Sequence, residues 1–89
     1  MEILEIQRGH IKLKVDDRTT TIEGEGFSRQ LLQPGQDESK YVDYVVYPST
    51  LTHWDKPWES ESLPAEVKTA VLVFLKKDFK QRGQILAIE

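Results

Sequence analysis

The chain has 89 residues, with 15 acidic and 12 basic side chains, a net charge of -3 and no cysteine. This length predicts one domain spanning residues 1–89, large enough for one core of a sheet and a helix. The absence of cysteine excludes a disulfide framework, a thiol nucleophile and a cysteine-based zinc site. The acidic balance argues against a protein that holds nucleic acid by neutralising phosphates.

The N-terminal residues and the apolar stretches bear on location. Residues 1–6 contain no basic segment followed by an apolar run, which argues against a secretion signal. The longest apolar stretch, residues 70–75, is far too short to span a bilayer. We therefore expect a cytoplasmic protein that has no membrane partner.

The first 23 residues predict a three-stranded antiparallel meander. Residues 2–6, 10–15 and 18–23 are rich in apolar or β-branched side chains, and short turn sequences separate them. Residues 10–15 alternate between one apolar face and one polar face, which is the period of a half-buried strand.

The middle of the chain is less regular. Two glycines in residues 24–27 predict a bulge or a turn that ends the third strand. Residues 28–40 are mostly polar and predict a loop, whereas residues 41–47 are nearly all aromatic or β-branched and predict a central strand. Residues 48–63 predict an irregular connection with a short helical turn at 49–53.

Residues 64–82 predict the one long helix. Apolar side chains recur along it at helical spacing, and Gly83 follows as a stop signal. Residues 84–88 predict a last strand. The fold class is therefore α+β, with a four- to five-stranded, mostly antiparallel sheet and one long helix packed on one face. The predicted core consists of Leu4, Ile6, Ile11, Leu13, Val15, Ile22, Val42, Val45, Val46, Val67, Val71, Phe74, Leu75 and Ile88.

Motifs for catalysis are missing from the sequence. It contains no nucleophile elbow, no phosphate-binding loop and no dinucleotide fingerprint. His53 and Asp55 lie two residues apart, but the only other histidine is in a distant predicted strand, and a metal site needs three or more convergent ligands. We therefore predict a protein that is not an enzyme and has no cofactor and no metal.

The segment from Trp54 to Glu61 is the most unusual in the chain. It holds both tryptophans, surrounded by three acidic side chains and one lysine. Tryptophan is enriched at binding hot spots, and acidic neighbours would attract a basic partner. Tryptophans in a loop also frequently close one end of a core. Both interpretations remain open for Trp54 and for Trp58.

Charge is distributed unevenly along the chain. Residues 37–63 hold six acidic and two basic side chains, whereas residues 64–89 hold five basic and three acidic ones. The predicted partner-binding residues are Trp54, Asp55, Trp58, Glu59, Glu61, Asp37 and Glu38.

Two other functions compete with protein binding. The main rival is a nucleic-acid-binding or regulatory adaptor that uses the basic end of the helix, formed by Lys76, Lys77, Lys80 and Arg82. A second rival is a small enzyme built on His53 and Asp55, which lacks a third convergent group.

Three sequence stretches carry a family resemblance. They are E-I-x-R-G-x-I-K-L-K-V at 5–15, T-I-E-G-E at 21–25 and Y-P-S-T-L-x-x-W-D-x-P-W at 47–58, with a proline-initiated helix and a closing strand after them. The element from Trp54 to Pro57 is the most specific. In these residues the chain resembles the immunity proteins of bacterial polymorphic-toxin and contact-dependent growth inhibition systems, in particular the immunity protein 74 family.

The resemblance implies a small α+β fold and a function without catalysis. Such proteins bind the toxin domain of a cognate effector in the cytoplasm of the producing cell and block its active site or a nearby surface. Many such toxins are nucleases with basic substrate sites, which an acidic inhibitor surface would fit. Contact residues are not implied position by position, so the predicted interface rests on the charge and tryptophan argument.

Overall fold

The computed structural model describes residues 1–27 and 42–89. Within these ranges the chain forms five strands, one short 3-10 helix and one long α-helix. The elements are β1 (Glu2–Ile6), β2 (His10–Val15), β3 (Arg18–Gly26), β4 (Tyr44–Val46), a 3-10 helix (Pro48–Thr50), α1 (Ala65–Gln81) and β5 (Leu86–Ile88).

The strands form one sheet in the order β1-β2-β3-β4-β5. The first four pair antiparallel, and β4 and β5 pair parallel. A parallel pair needs a long crossover connection, and here that connection contains α1. The predicted α+β class, with a mostly antiparallel sheet and one long helix, is confirmed.

The alternation in β2 determines the two faces of the sheet. Ile11 and Leu13 are fully buried, and the register places them opposite Ile22 and Thr20 of β3. Lys12 and Lys14, which alternate with these two residues, occupy the other face, which is polar. We call the apolar side the inner face and the polar side the outer face.

Strand β1 departs from the predicted pattern at Leu4. Ile3 lies opposite Leu13 and Ile6 lies opposite Ile11, with a register shift between Ile3 and Glu5. The extra residue places both isoleucines on the inner face and leaves Leu4 45% exposed. Ile6 is 37% exposed, because β1 is an edge strand. The predicted burial of Leu4 and Ile6 is therefore wrong.

The predicted break at residues 24–27 is also wrong, because β3 continues to Gly26. A Cβ atom on Gly24 would collide with the carbonyl oxygen of Val45 and would lie 2.5 Å from the ring of Tyr44. Glycine is required there because β4 approaches so closely, and not because the chain turns.

Helix α1 buries one stripe against the sheet. Val71, Leu75 and Phe79 lie at helical spacing and are buried, and the ring of Phe79 lies 5.9 Å from that of Tyr44. Gly83 follows the helix with a φ of 73°, which suits a glycine stop. In the described part of the chain, no helix is long and apolar enough to cross a membrane.

The observed core differs from the predicted one at several positions. Ile88 is 39% exposed, so its predicted burial is wrong, since β5 forms the other edge of the sheet. Val15, Val67 and Phe74 are only partly buried. The buried apolar residues that were not predicted are Tyr44, Leu51, Trp54, Leu63, Phe79 and Leu86.

Candidate protein-binding site

The two tryptophans belong to residues 52–63, which we call the tryptophan loop. The backbone folds back on itself, with the Leu63 N–H donating to the Thr52 carbonyl at 2.9 Å. At the tip the Trp58 N–H donates to the Asp55 carbonyl and the Glu61 N–H donates to the Trp58 carbonyl, both at 2.9 Å. The Lys56–Pro57 peptide bond in this turn is cis.

The tryptophan loop is fixed to strand β3 by its backbone. The Asp55 N–H donates to the Thr19 carbonyl at 2.8 Å, and Trp54 forms an antiparallel bridge with Thr20. The buried hydroxyl of Thr20 donates to the His53 carbonyl at 3.0 Å. The loop therefore lies beside the first part of β3, and β4 lies beside the last part.

Trp54 lies inside the protein. Only 8% of it is exposed, and it packs in the same core cluster as Leu51 and Leu63. For this residue the structure shows the core-closing role, so a partner cannot reach most of the indole.

Asp55 connects the loop to the outer face of the sheet. Its carboxylate accepts hydrogen bonds from the hydroxyl of Thr19 at 3.1 Å and from that of Thr21 at 3.0 and 3.2 Å. The side chain is half-buried. These contacts give Asp55 a structural task, which is to hold the start of the turn against β3.

Trp58 lies at the surface with 38% of it exposed. The guanidinium carbon of Arg18 is 4.2 Å from the centre of its ring and 5.6 Å from the ring of Trp54. The same guanidinium donates to the Glu61 carboxylate at 3.0 Å. Arg18 therefore links both tryptophans and one acidic residue of the loop.

Arg18 was not among the sequence-predicted site residues. The available signal is its alternation with Thr20 and Ile22, which places it on the inner face at the beginning of β3. The tryptophan loop lies at that same place. Only the long-range pairing of the loop with β3 shows that Arg18 meets the indoles.

The acidic part of the predicted site is only partly brought together. Glu59 and Glu61 are exposed on the loop near Trp58. The β2–β3 turn, which directly precedes Arg18, adds Asp16 and Asp17 to this end of the sheet. The other two predicted residues, Asp37 and Glu38, lie outside the described residues.

In the described part of the chain, each histidine contacts a nearby polar side chain. The His53 ring lies 3.0 Å from the hydroxyl of Thr52, and His10 pairs with Glu5 at 3.2 Å. Hydrogen bonds from Gln7 and then from His10 lower the pKa of Glu5. Over residues 1–27 and 42–89, no group of three or more His, Cys, Asp or Glu side chains is placed to hold a metal ion.

The basic residues of the helix lie on a different element from the tryptophan loop. Lys76, Lys77 and Lys80 are exposed on the second half of α1. Arg82 instead pairs with Asp78 at 2.6 Å. Within the described residues, the acidic loop with its exposed indole and the unpaired lysines therefore belong to different elements of the fold.

Comparison with known proteins places the chain in a family. No match was found among curated proteins or among solved structures. One protein family, described as Immunity protein 74, matches residues 3–89, which is nearly the whole chain and includes most of β1, all of β2 to β5, the helix and the tryptophan loop. The chain therefore belongs to the Immunity protein 74 family and is an immunity protein against a toxin.

Proposed function

We propose that this immunity protein neutralises its toxin by binding it through the tip of the tryptophan loop. In this proposal Trp58 is the apolar anchor, and Glu59 and Glu61 supply the surrounding negative charge. The protein covers an active or substrate-binding surface of the toxin and performs no reaction itself. The observation that carries the proposal is that Trp58 remains 38% exposed on a loop whose base is fixed to the sheet.

An exposed indole on a rigid support is a favourable anchor for a partner. Tryptophan is enriched among the few residues that dominate binding energy, since it brings a large contact area together with few rotatable bonds. The base of the loop is held by Trp54 in the core and by the Asp55 carboxylate on two threonines. The base of the loop would therefore lose little conformational entropy when a partner binds the tip.

The charge of the loop indicates the kind of toxin surface. Glu59 and Glu61 are exposed, and Asp16 and Asp17 lie at the same end of the sheet. Such a surface speeds association with a basic partner and disfavours an acidic one. Toxins that cleave nucleic acid have basic substrate sites, so a nuclease is the toxin class that this surface fits best.

Charge reversal tests the proposed surface. The double variant Asp17→Lys with Glu59→Lys should slow association with the toxin domain by at least about tenfold at low salt. It should also abolish protection of cells that express that toxin. Asp55 and Glu61 are left unchanged because their contacts with Thr19, Thr21 and Arg18 hold the loop.

The matched control is Glu25→Lys with Glu89→Lys. It makes the same change in net charge at exposed positions outside the loop. The control should keep protection and a nearly unchanged association rate. Equal effects of the two double variants would show that net charge, and not this loop, controls binding.

A second candidate function rests on the exposed lysines of α1. Lys76, Lys77 and Lys80 have no acidic partner within the described residues and could attract the phosphates of nucleic acid. Electrophoretic mobility shifts with mixed nucleic acid test this candidate. Tight, salt-dependent binding that is lost when the three lysines are replaced by glutamine would support it over toxin binding.

A further inference from the structure

We infer that Arg18 is the positioning residue that holds Trp58 and Glu61 ready for the toxin. This inference rests on the proposed function of the tryptophan loop and adds a residue that lies outside the loop. It predicts that Arg18 strengthens binding to the toxin, although its positive charge alone would weaken binding to a basic partner.

The contacts of Arg18 form one connected set. Its guanidinium lies over the Trp58 ring at 4.2 Å and donates to the Glu61 carboxylate at 3.0 Å. Trp54, at 5.6 Å, provides a support that is buried in the core. Because Arg18 begins strand β3, which pairs with β2 on one side and with the loop on the other, its backbone is fixed.

These contacts restrain the part of the loop that the backbone leaves free. The base of the loop is paired with β3, whereas residues 56–61 beyond Asp55 make backbone hydrogen bonds within the turn. A cation over an indole favours one position of the ring, and the ion pair with Glu61 holds the returning side of the turn. Without Arg18, Trp58 would sample more conformations, and each binding event would have to restrict them.

Two physical roles of Arg18 predict opposite results. If its charge were the main influence, its loss would make the surface more acidic and strengthen binding to a basic toxin. If its contacts position Trp58, its loss weakens binding, and the change appears as faster dissociation. The second result is expected, because the Arg18 guanidinium already lies over the Trp58 ring and is paired with the Glu61 carboxylate.

The experiment measures association and dissociation rates with the toxin domain that this immunity protein binds. Arg18→Met should raise the dissociation rate about tenfold without slowing association, which is the size expected when a cation–π contact is lost. Arg18→Lys, which keeps the charge but loses the planar group, should show a smaller increase. Arg82→Met is the matched control, since it removes the same charge from an ion-paired arginine at the end of α1.

A partner-free measurement accompanies the rates. The two indole N–H signals of nitrogen-15-labelled protein report Trp54 and Trp58 separately. In the Arg18→Met variant, the heteronuclear NOE of Trp58 should fall and that of Trp54 should stay unchanged. An unchanged Trp58 signal would overturn the positioning role, whatever the rates show.

Trp58→Ala separates the failure of this inference from that of the proposed function. If Trp58→Ala leaves the affinity unchanged, the proposed surface is wrong and the role of Arg18 falls with it. If Trp58→Ala weakens binding tenfold or more and Arg18→Met does not, only the role of Arg18 is wrong. Tighter binding by Arg18→Met would show that its charge dominates and would also overturn the inference.

Discussion

Trp54 and Trp58 stand four residues apart in one loop, and they have different environments. Trp54 is 8% exposed, and its backbone pairs with Thr20 of β3. This pairing directs its side chain into the core. Trp58 lies beyond the turn, is 38% exposed and rests against Arg18. The contrast shows that backbone pairing, and not residue type, separates the part of the loop that folds the protein from the part that is free to bind.

The largest expected effect compares the two indoles directly. Trp54→Ala should lower the free energy of unfolding by about 3–5 kcal/mol, because it empties a large site in the core. Trp58→Ala should lower it by less than about 1 kcal/mol, as its ring is partly exposed and loses one cation–π contact. Urea unfolding followed by circular dichroism measures both values. Similar losses of unfolding free energy in the two variants would contradict the assignment of Trp54 to folding and of Trp58 to binding.

Gly24 and Gly9 provide a second comparison between a position inside the packed sheet and a position open to solvent. Gly24→Ala should cost about 3 kcal/mol of stability, because the new Cβ would collide with the Val45 carbonyl oxygen where β3 and β4 pair. Gly9→Ala should have little effect, since nothing lies within 4 Å of its Cβ position. The urea midpoints of the two variants provide the measurement, and a stable Gly24→Ala protein would contradict the close pairing.

Two carboxylates of the loop should differ in a similar way. Asp55→Ala removes the acceptor of the Thr19 and Thr21 hydroxyls and should cost about 2 kcal/mol of stability. Glu59→Ala, on the exposed tip, should change stability by no more than about 0.5 kcal/mol and should instead slow toxin association. Thermal unfolding should therefore show the larger loss of stability for Asp55→Ala, and binding kinetics should show the larger loss of association rate for Glu59→Ala.

The smallest expected effect is on the exposed outer face, at Glu5. Hydrogen bonds from Gln7 and His10 lower the pKa of Glu5 from its ordinary value of 4.5. The resulting stabilisation is present above pH 4.5 and is lost as the pH falls through the pKa of the folded state. Glu5→Gln should therefore be slightly less stable than the wild type near neutral pH and equal to it in acid. A constant difference across the pH range would contradict this origin.

The regular elements could be predicted because their signals are local. The alternation of Ile11 and Leu13 with lysines predicts β2 and its two faces, and the apolar stripe predicts α1 within one residue at each end. Phe79 continues the stripe of Val71 and Leu75 and could have been included in the predicted core. The bulge at Leu4 and the close approach at Gly24 could not be foreseen, because they depend on neighbouring strands.

The site could be predicted only in part. Its composition indicates a tryptophan loop with acidic residues, but composition does not distinguish Trp54 from Trp58. That distinction comes from the pairing of Trp54 with Thr20, which lies 34 residues earlier in the chain. The contact of Arg18 with Trp58 spans 40 residues and depends on the same pairing. Such contacts leave no periodic trace in a single sequence.

Strand β3 has two neighbours in succession on one side, first the tryptophan loop and then β4. A ligand that holds the loop thus also holds the strand at the middle of the sheet. Its binding free energy adds to the stability of the whole folded chain, and the melting temperature rises with the logarithm of the ligand concentration divided by the dissociation constant. A rise in melting temperature in a thermal-shift screen of candidate toxin domains can therefore identify the partner without an assay of toxic activity.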